Sequence, residues 1–312
     1  MKYYSIISVT VLLMALSLAA FSQDTRLSYN LVTGKRYLLD IVMQQNTRSE
    51  SLYSEEISMY NHMKLEFRVD SADPSGLIHM SVRYNDLLLS MLAPGMGLDI
   101  NSETGKNRVL SDLIDSLQLG RFRVSMAESG ELRSIVGLDS IFISLASYPV
   151  KDTNELEVIL NTLDEAYGPN AFQSLFNLFV AYYPNVQPIN NWTRDLTYYF
   201  NTKPVQMVNR YYLSRTTEEV LIIQGMGMIN SLEEFSETIS MGDVKSAVSG
   251  TQTYDYQADR ETGWLKRCVS RQRVLIETTI LKSSHLPQGL KIPSYTETVF
   301  EVKGRPYQAK KP

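Results

Sequence analysis

Apolar and polar residues alternate strictly along residues 57–69, and Asn61 is the single polar residue on the apolar parity. This alternation predicts an antiparallel strand with one face on a core and the other in water. A turn over Asp73–Gly76 leads to a return strand at residues 77–92. The apolar parity of that strand changes near Asn85-Asp86, which indicates a β-bulge. The core-facing positions of the first strand are Ile57, Met59, Met63, Leu65, Phe67 and Val69.

The same alternation predicts eight further strands, at residues 37–43, 122–126, 192–201, 205–214, 220–228, 250–258, 264–276 and 295–302. Apolar residues at helical spacing predict helices at residues 109–117 and 138–145, and a helical pair over 153–182 that Gly168-Pro169 interrupts. Ser231 and Glu234 have the spacing of a capping box. We therefore expect a short helix at residues 232–239, which could act as a lid.

The two β regions are similar in the order of their elements. A Ser129-Gly130 turn ends one hairpin, a Thr262-Gly263 turn ends another, and a strand–turn–strand unit precedes each. We interpret this as an internal duplication. The predicted fold is mainly β (α+β), with two related antiparallel β-sheet halves and a helical pair between them. The halves span residues 23–150 and 186–312, and the pair spans residues 151–185.

Residues 1–22 have the features of a secretory signal peptide. Lys2 precedes an uncharged apolar run at residues 6–20, and Ala20 and Ser22 occupy the small-residue positions of a cleavage site. An uncleaved anchor is the alternative, but the run is shorter than the roughly 20 residues of a membrane span. No cysteine lies near the cut, so we do not expect a lipid anchor, and no later segment is apolar enough to span a bilayer. The expected location is periplasmic or extracellular.

Composition narrows the function classes. The chain has 312 residues, a net charge of -4, 1 Cys, 3 His and 19 Tyr. One cysteine cannot form an intramolecular disulfide or a cysteine-rich zinc site. A mildly acidic chain without a basic block is a poor nucleic-acid binder. We therefore expect neither a cofactor nor a nucleic-acid partner.

Several short motifs occur in an order that resembles a domain-of-unknown-function family of secreted Gram-negative bacterial proteins. The motifs are Gly34-x-x-Tyr37, Tyr183-Pro184 followed by Trp192, Ser249-Gly250-Thr251, and Asp259-x-x-Thr262-Gly263. The chain departs from the family pattern at Asn190-Asn191, where the family tends to have Gly. The resemblance implies export and a two-part β-rich layout, and it supplies no catalytic residues.

The sequence does not indicate an acid–base–nucleophile set. His62 and His79 lie on polar parities of their strands without a convincing mutual pairing, and His285 lies in a predicted loop. Cys268 is either a reactive thiol or a small buried hydrophobe, and we favour the second interpretation. The sequence therefore does not predict an enzyme.

Two features remain as candidate binding sites. Arg267, Arg271 and Arg273 share a parity and could form an anion-binding stripe, or an ordinary solvent face. Aromatic and methionine side chains could fill the core or line a cavity for an apolar ligand. The candidate lining residues are Met63, Phe67, Met80, Trp192, Tyr198 and Met226. The favoured hypothesis is an exported, non-enzymatic binding protein for a hydrophobic or amphipathic ligand. The alternative is an envelope-associated structural or protein-interaction module.

Overall fold

The computed structural model describes residues 27–50, 54–93, 98–101, 108–149, 153–187, 190–200, 203–239, 242–282 and 286–307. The predicted signal peptide, residues 1–22, lies outside this part of the chain. The first half contains strands β1 (Arg36–Glu50), β2 (Ser54–Ala72), β3 (Leu77–Ala93), β4 (Leu98–Asn101), β5 (Phe122–Ala127) and β6 (Leu132–Val136). The second half contains β7 (Asn191–Phe200), β8 (Lys203–Thr216), β9 (Val220–Asn230), β10 (Phe235–Ile239), β11 (Gly242–Asp259), β12 (Leu265–Ile280) and β13 (Leu290–Pro306).

All of these strands belong to one antiparallel sheet. The strand order is β6-β5-β3-β2-β1-β13-β12-β11-β9-β8-β7, with β4 beside β3 and β10 beside β11. The first strand of the chain pairs with the last, from Tyr37 opposite Pro306 to Ser49 opposite Ser294. The mainly β fold with helices between two halves is confirmed. The halves form one continuous sheet rather than two separate sheets, because β1 and β13 join them.

Within the described residues, four helices accompany the sheet: α1 (Arg108–Leu119), α2 (Leu138–Leu145), α3 (Thr153–Tyr167) and α4 (Pro169–Phe179). Helix α4 lies along the edge strand β7, where Asn177 Nδ2 donates to Thr197 O at 2.7 Å and Tyr199 N donates to Ser174 Oγ at 2.8 Å. It also contacts β6 at the opposite edge of the sheet. The sheet therefore curves around α4, and its inner face forms the core.

The predicted bulge is present in β3. Lys64 of β2 lies opposite Asp86, and the next residue, Leu65, lies opposite Tyr84, so Asn85 is the extra residue. The carboxylate of Glu66 accepts a hydrogen bond of 3.3 Å from Asn85 Nδ2. This contact holds the bulge against β2 and explains the change of parity in the sequence.

The predicted helix at residues 232–239 is wrong. Residues Phe235–Ile239 form strand β10, which pairs with β11 from Phe235 opposite Ser246 to Ile239 opposite Gly242. Ser231 does not cap a helix, since its backbone N donates to Val248 O and its Oγ accepts from Val248 N.

Residues 27–31 connect the two turns that suggested a duplication. Tyr29 N donates to Glu128 O at 2.8 Å, and Asn30 N donates to Thr262 O at 2.9 Å. Gly130 and Gly263 have φ angles of 81° and 71°, a region that favours glycine. Strands β2, β3, β5, β6 and strands β8, β9, β11, β12 occur in the same order along the sheet.

Buried aromatic rings fill the core at the end of the sheet where these turns lie, and we call this region the aromatic end. Its rings are Tyr29, Tyr37, Tyr182, Tyr183, Tyr256 and Trp264, all buried. Each has its polar atom satisfied: for example, Tyr182 and Tyr183 both donate to Gly263 O at 3.0 Å, and Trp264 Nε1 donates to Leu38 O at 3.2 Å. Satisfied hydroxyls and ring contacts make this end a solid part of the core.

Candidate functional site

The space between sheet and helices remains partly open at the other end of the same strands. A cavity of about 130 Å³ lies between the inner face of β1, β2 and β3, helices α3 and α4, and the end of β7. We call this region the methionine end. Along β1 it is six residues from the aromatic end, measured from Tyr37 to Met43. That separation corresponds to about 20 Å of strand.

Four methionines form the sheet wall of the cavity: Met43, Met59, Met63 and Met91. Met43 lies on β1, Met59 and Met63 lie on β2, and Met91 lies on β3, so the wall spans three adjacent strands. Met91 pairs directly with Met59 across β2 and β3. Methionine is unbranched and flexible, so such a wall can adapt to the shape of an apolar group. The helix wall includes Ala166, Ala171 and Leu175.

Asn61 is the polar residue at the centre of the sheet wall. Its side chain is 2% exposed, and its Oδ1 accepts a hydrogen bond of 3.1 Å from the hydroxyl of Tyr167. Asn61 also lines the cavity. Sequence reasoning did not select it, although its position on the apolar parity of β2 was the signal that could have identified it.

Two carboxylates lie in the helix wall. Asp164 and Glu165 line the cavity, whereas no Lys, Arg or His does so in the part of the chain that the structure describes. Burial raises the pKa of Asp164, with a further contribution from the charge of Asp139. Burial also raises the pKa of Glu165, with a contribution from Asp164. The cavity thus combines an apolar wall with carboxylates that have no cation beside them in its lining.

Two of the six candidate lining residues reach the cavity. Met63 and Tyr198 line it. Phe67, Met80 and Trp192 do not, because they fill the core: each is buried, the ring centroid of Phe67 is 5.4 Å from that of Trp264, and Trp192 Nε1 donates to Tyr182 O. Met226 does not line it either, because its parity on β9 places it on the outer face, 62% exposed.

The arginine stripe lies on the outer face of β12. Arg267, Arg271 and Arg273 are all exposed. Arg273 Nε is 3.0 Å from a carboxylate oxygen of Glu297, and Arg267 lies opposite Lys303 of β13. One arginine thus has an acidic partner and another has a basic neighbour, and anion binding along the stripe stays a prediction.

The histidines on strands have partners that the sequence did not indicate. His62 Nε2 is 2.8 Å from Asp40 Oδ1 of β1, and His79 Nδ1 is 2.8 Å from Ser125 Oγ of β5. Asp73 lies 3.4 Å from the other nitrogen of His79. Both histidines lie on the outer face, away from the cavity.

Cys268 lies in the core and is fully buried. Burial raises the pKa of its thiol well above the ordinary value, so the thiolate is disfavoured. Within the described ranges, no group of three or more His, Cys, Asp or Glu side chains could hold a metal ion. His285 lies outside the described residues.

Two larger concavities open on the surface. One, of about 450 Å³, lies beside β7, β8 and Leu232, and the other, of about 430 Å³, lies beside Ser75, Glu128 and Arg133. Polar side chains contribute much of both linings. The methionine-end cavity is smaller, but it is the one of the three that lies between the inner face and the helices.

No helix in the described part of the chain is long and apolar enough to cross a membrane.

No curated protein matches the chain. Among solved structures, lipovitellin, from a study of its lipid–protein interactions, matches 91% of the chain with 12% identity and a TM-score of 0.50. The chain spans about a quarter of that protein, 26% of its length. The Pseudomonas aeruginosa protein OccK5 (OpdH) matches 88% of the chain and 98% of its own length, with 6% identity and a TM-score of 0.22.

The lipovitellin match shows a shared fold, and the TM-score of the second match is too low to support an argument. A family model matches residues 75–265, which is more than half of the chain and includes parts of both halves of the sheet. The resemblance indicated by the short motifs is thereby confirmed. The chain belongs to the family of unknown function DUF6263.

Proposed function

We propose that the protein is a non-enzymatic binding protein for a hydrophobic or amphipathic ligand, exported from the cytoplasm, with the methionine-end cavity as its binding site. The observation that carries this proposal is the cavity itself. Twelve of its nineteen described lining residues are methionine, leucine, alanine, tyrosine or phenylalanine, and the other seven are polar. That combination is typical of small-molecule sites.

The packing elsewhere in the core supports this choice of site. At the aromatic end the rings contact one another, as Tyr182 and Tyr256 do with centroids 4.6 Å apart. Well-packed interiors leave few voids larger than a water molecule. An apolar void at one end of the same sheet is therefore a local departure from the packing of this protein.

The volume of the cavity limits the size of a ligand that can bind without movement of the lining side chains. A cavity of about 150 Å³ can hold a benzene-sized group, and this one has about 130 Å³. Ligand sites usually span about 300–1,000 Å³. A longer ligand requires the methionine side chains to change rotamer, for which methionine is well suited.

The fold comparison is compatible with a lipid-like ligand. Lipovitellin, whose structural study concerns lipid–protein interactions, shares the fold. The alternative function, an interaction module that uses free sheet edges, has less support. Polar groups of the edge strand β7 are already bonded to α4 through Thr197 O and Tyr199 N.

A saturable fluorescence titration tests the proposal. The purified protein should bind the apolar probe N-phenyl-1-naphthylamine with one site per chain. Ala171→Leu adds volume at the cavity lining and should weaken binding about tenfold. Ala146→Leu makes the same change at an exposed position at the end of α2 and should leave binding unchanged.

Absence of saturable binding would contradict the proposal. Equal affinities of Ala171→Leu and Ala146→Leu would place the probe somewhere other than the cavity and would contradict it too. Native mass spectrometry of gently purified protein gives an independent measurement, with a bound mass of lipid size as the expected result.

A further inference from the structure

The cavity lining contains hydrogen-bond donors without acceptors. Asn61 is almost fully buried, its Oδ1 is taken by Tyr167, and its Nδ2 has no hydrogen-bond partner among the described residues. Tyr198 lines the same cavity, and its hydroxyl also has no hydrogen-bond partner within the described ranges. Neither atom is among the buried polar atoms without a partner in the described residues, which are Arg83 Nε and Ser270 Oγ. An acceptor on a ligand in the cavity could therefore take a hydrogen bond from each donor.

The hydroxyl of Tyr198 is a donor at neutral pH. Burial raises its pKa to about 12, so the hydroxyl keeps its proton. Asn61 and Tyr198 come from β2 and β7, which reach the cavity from its two sides. Each of the two groups can donate to an acceptor atom of a ligand in the cavity.

The charge of the lining decides what kind of acceptor fits. A carboxylate ligand would enter a site whose charged groups are Asp164 and Glu165, with no described cation in the lining. Burying a charge without a partner costs several kcal/mol. A carbonyl oxygen accepts hydrogen bonds without bringing a negative charge.

We propose that the ligand is a neutral ester or amide of an aliphatic chain, whose carbonyl oxygen accepts from Asn61 Nδ2 and Tyr198 Oη while the chain contacts the methionines. This inference rests on the proposed function, because it assumes that the cavity is a ligand site. It assigns the selectivity of the site to two side chains, and it excludes the free fatty acid as the preferred ligand.

Displacement of N-phenyl-1-naphthylamine by methyl octanoate and by sodium octanoate at pH 8 tests this inference. The ester should displace the probe at about tenfold lower concentration than the anion. Tyr198→Phe removes one donor and should weaken the ester about tenfold more than it weakens the probe, which has no carbonyl group. Tyr60→Phe, on the outer face of β2, is the matched control.

Asn61→Leu is the second variant, because it removes both N–H donors without adding a charge to the cavity. It should also weaken the ester more than it weakens the probe. Equal displacement by ester and anion, or unchanged ester affinity in Tyr198→Phe, would overturn the inference and leave the proposed function intact. Failure of the probe to bind at all would overturn the proposed function itself.

Discussion

The aromatic end and the methionine end are built on the same strands but are packed in different ways. On β1, the ring of Tyr37 has its centroid 5.0 Å from that of Trp264, whereas Met43 faces the cavity. On β2, Phe67 contacts Trp264, whereas Met59 and Met63 form cavity wall. Rings with fixed partners give one end a defined packing, and unbranched thioethers give the other end freedom to adapt.

The short motifs that resemble the family lie largely at the aromatic end. Tyr37 and Trp192 are core residues there, and Asp259 Oδ1 accepts from the N and Oγ1 of Thr262 to form the turn before Gly263. These motifs therefore describe the scaffold. The cavity carries none of them, so the family resemblance is silent about the ligand, which has to be inferred from the cavity itself.

The largest expected contrast comes from removing a core side chain at each end. Trp264→Ala should cost about 3–5 kcal/mol of unfolding free energy, because it removes a buried ring with three aromatic neighbours and leaves a void. Met59→Ala should cost about 1 kcal/mol, since Met59 is half-buried beside an existing cavity. Urea denaturation followed by far-ultraviolet circular dichroism measures both.

Trp264→Phe serves as a second variant if Trp264→Ala fails to fold. Its loss of unfolding free energy should exceed that of Met59→Ala by no more than about 1 kcal/mol. Similar losses for Met59→Ala and Trp264→Ala would show that the two ends are equally packed, and the comparison would fail.

Much of the sheet follows from local pattern. Strict alternation at residues 57–69 identified β2, and the change of parity near Asn85 identified the bulge, because both depend on side-chain direction along one strand. The helical pair followed from apolar spacing and from Gly168-Pro169, where α3 ends and α4 begins. Alternation does not specify strand order, so the β1–β13 pairing that merges the halves was not predictable.

The remaining errors arise where tertiary contacts decide. Residues 232–239 carry a capping-box pattern, but Ser231 bonds to β11 and the segment pairs as a strand, so the sheet edge outweighed local propensity. Parity distinguished Met63 from polar neighbours, yet it could not separate Met63 at the cavity from Met80 in the filled core. That distinction depends on which helix covers each position.

A matched pair of glycine substitutions sharpens the comparison at the backbone level. Gly130 and Gly34 both have φ of 81°, but a Cβ on Gly130 would lie 2.0 Å from Val180 O, whereas a Cβ on Gly34 meets nothing within 4 Å. Gly34→Ala should therefore cost about 1 kcal/mol from conformation alone. Gly130→Ala should cost about 3 kcal/mol or more, because the segment against the aromatic end must move.

Thermal unfolding measured side by side for both variants gives the result. A shift in melting temperature that is the same for Gly34→Ala and Gly130→Ala would mean that the contact between Gly130 and Val180 adds nothing to the strain of the turn. The aromatic end would then be less tightly packed than its ring contacts imply.

The smallest expected effects concern two aspartates whose pKa values move in opposite directions. Burial alone would raise the pKa of Asp259, but hydrogen bonds from Thr262 and Lys266 bring it below its ordinary value. Burial raises the pKa of Asp164 at the cavity. Ionised Asp259 therefore stabilises the fold above the unfolded pKa of about 3.9, and this contribution is lost as pH falls. Protonated Asp164 stabilises it at low pH, and this contribution is lost as pH rises through the raised pKa.

Asp259→Asn should thus lower the unfolding free energy by about 1 kcal/mol at pH 7, with a deficit that shrinks toward pH 3. Asp164→Asn should raise it by a few tenths of a kcal/mol at pH 7 and have no effect near pH 3, because Asp164 is partly solvated. Urea titrations at pH 3, 5 and 7 measure both differences. If Asp164→Asn destabilises the protein at pH 7, the Asp164 carboxylate makes contacts that stabilise the fold. The methionine end would then not hold a carboxylate that lacks a compensating partner.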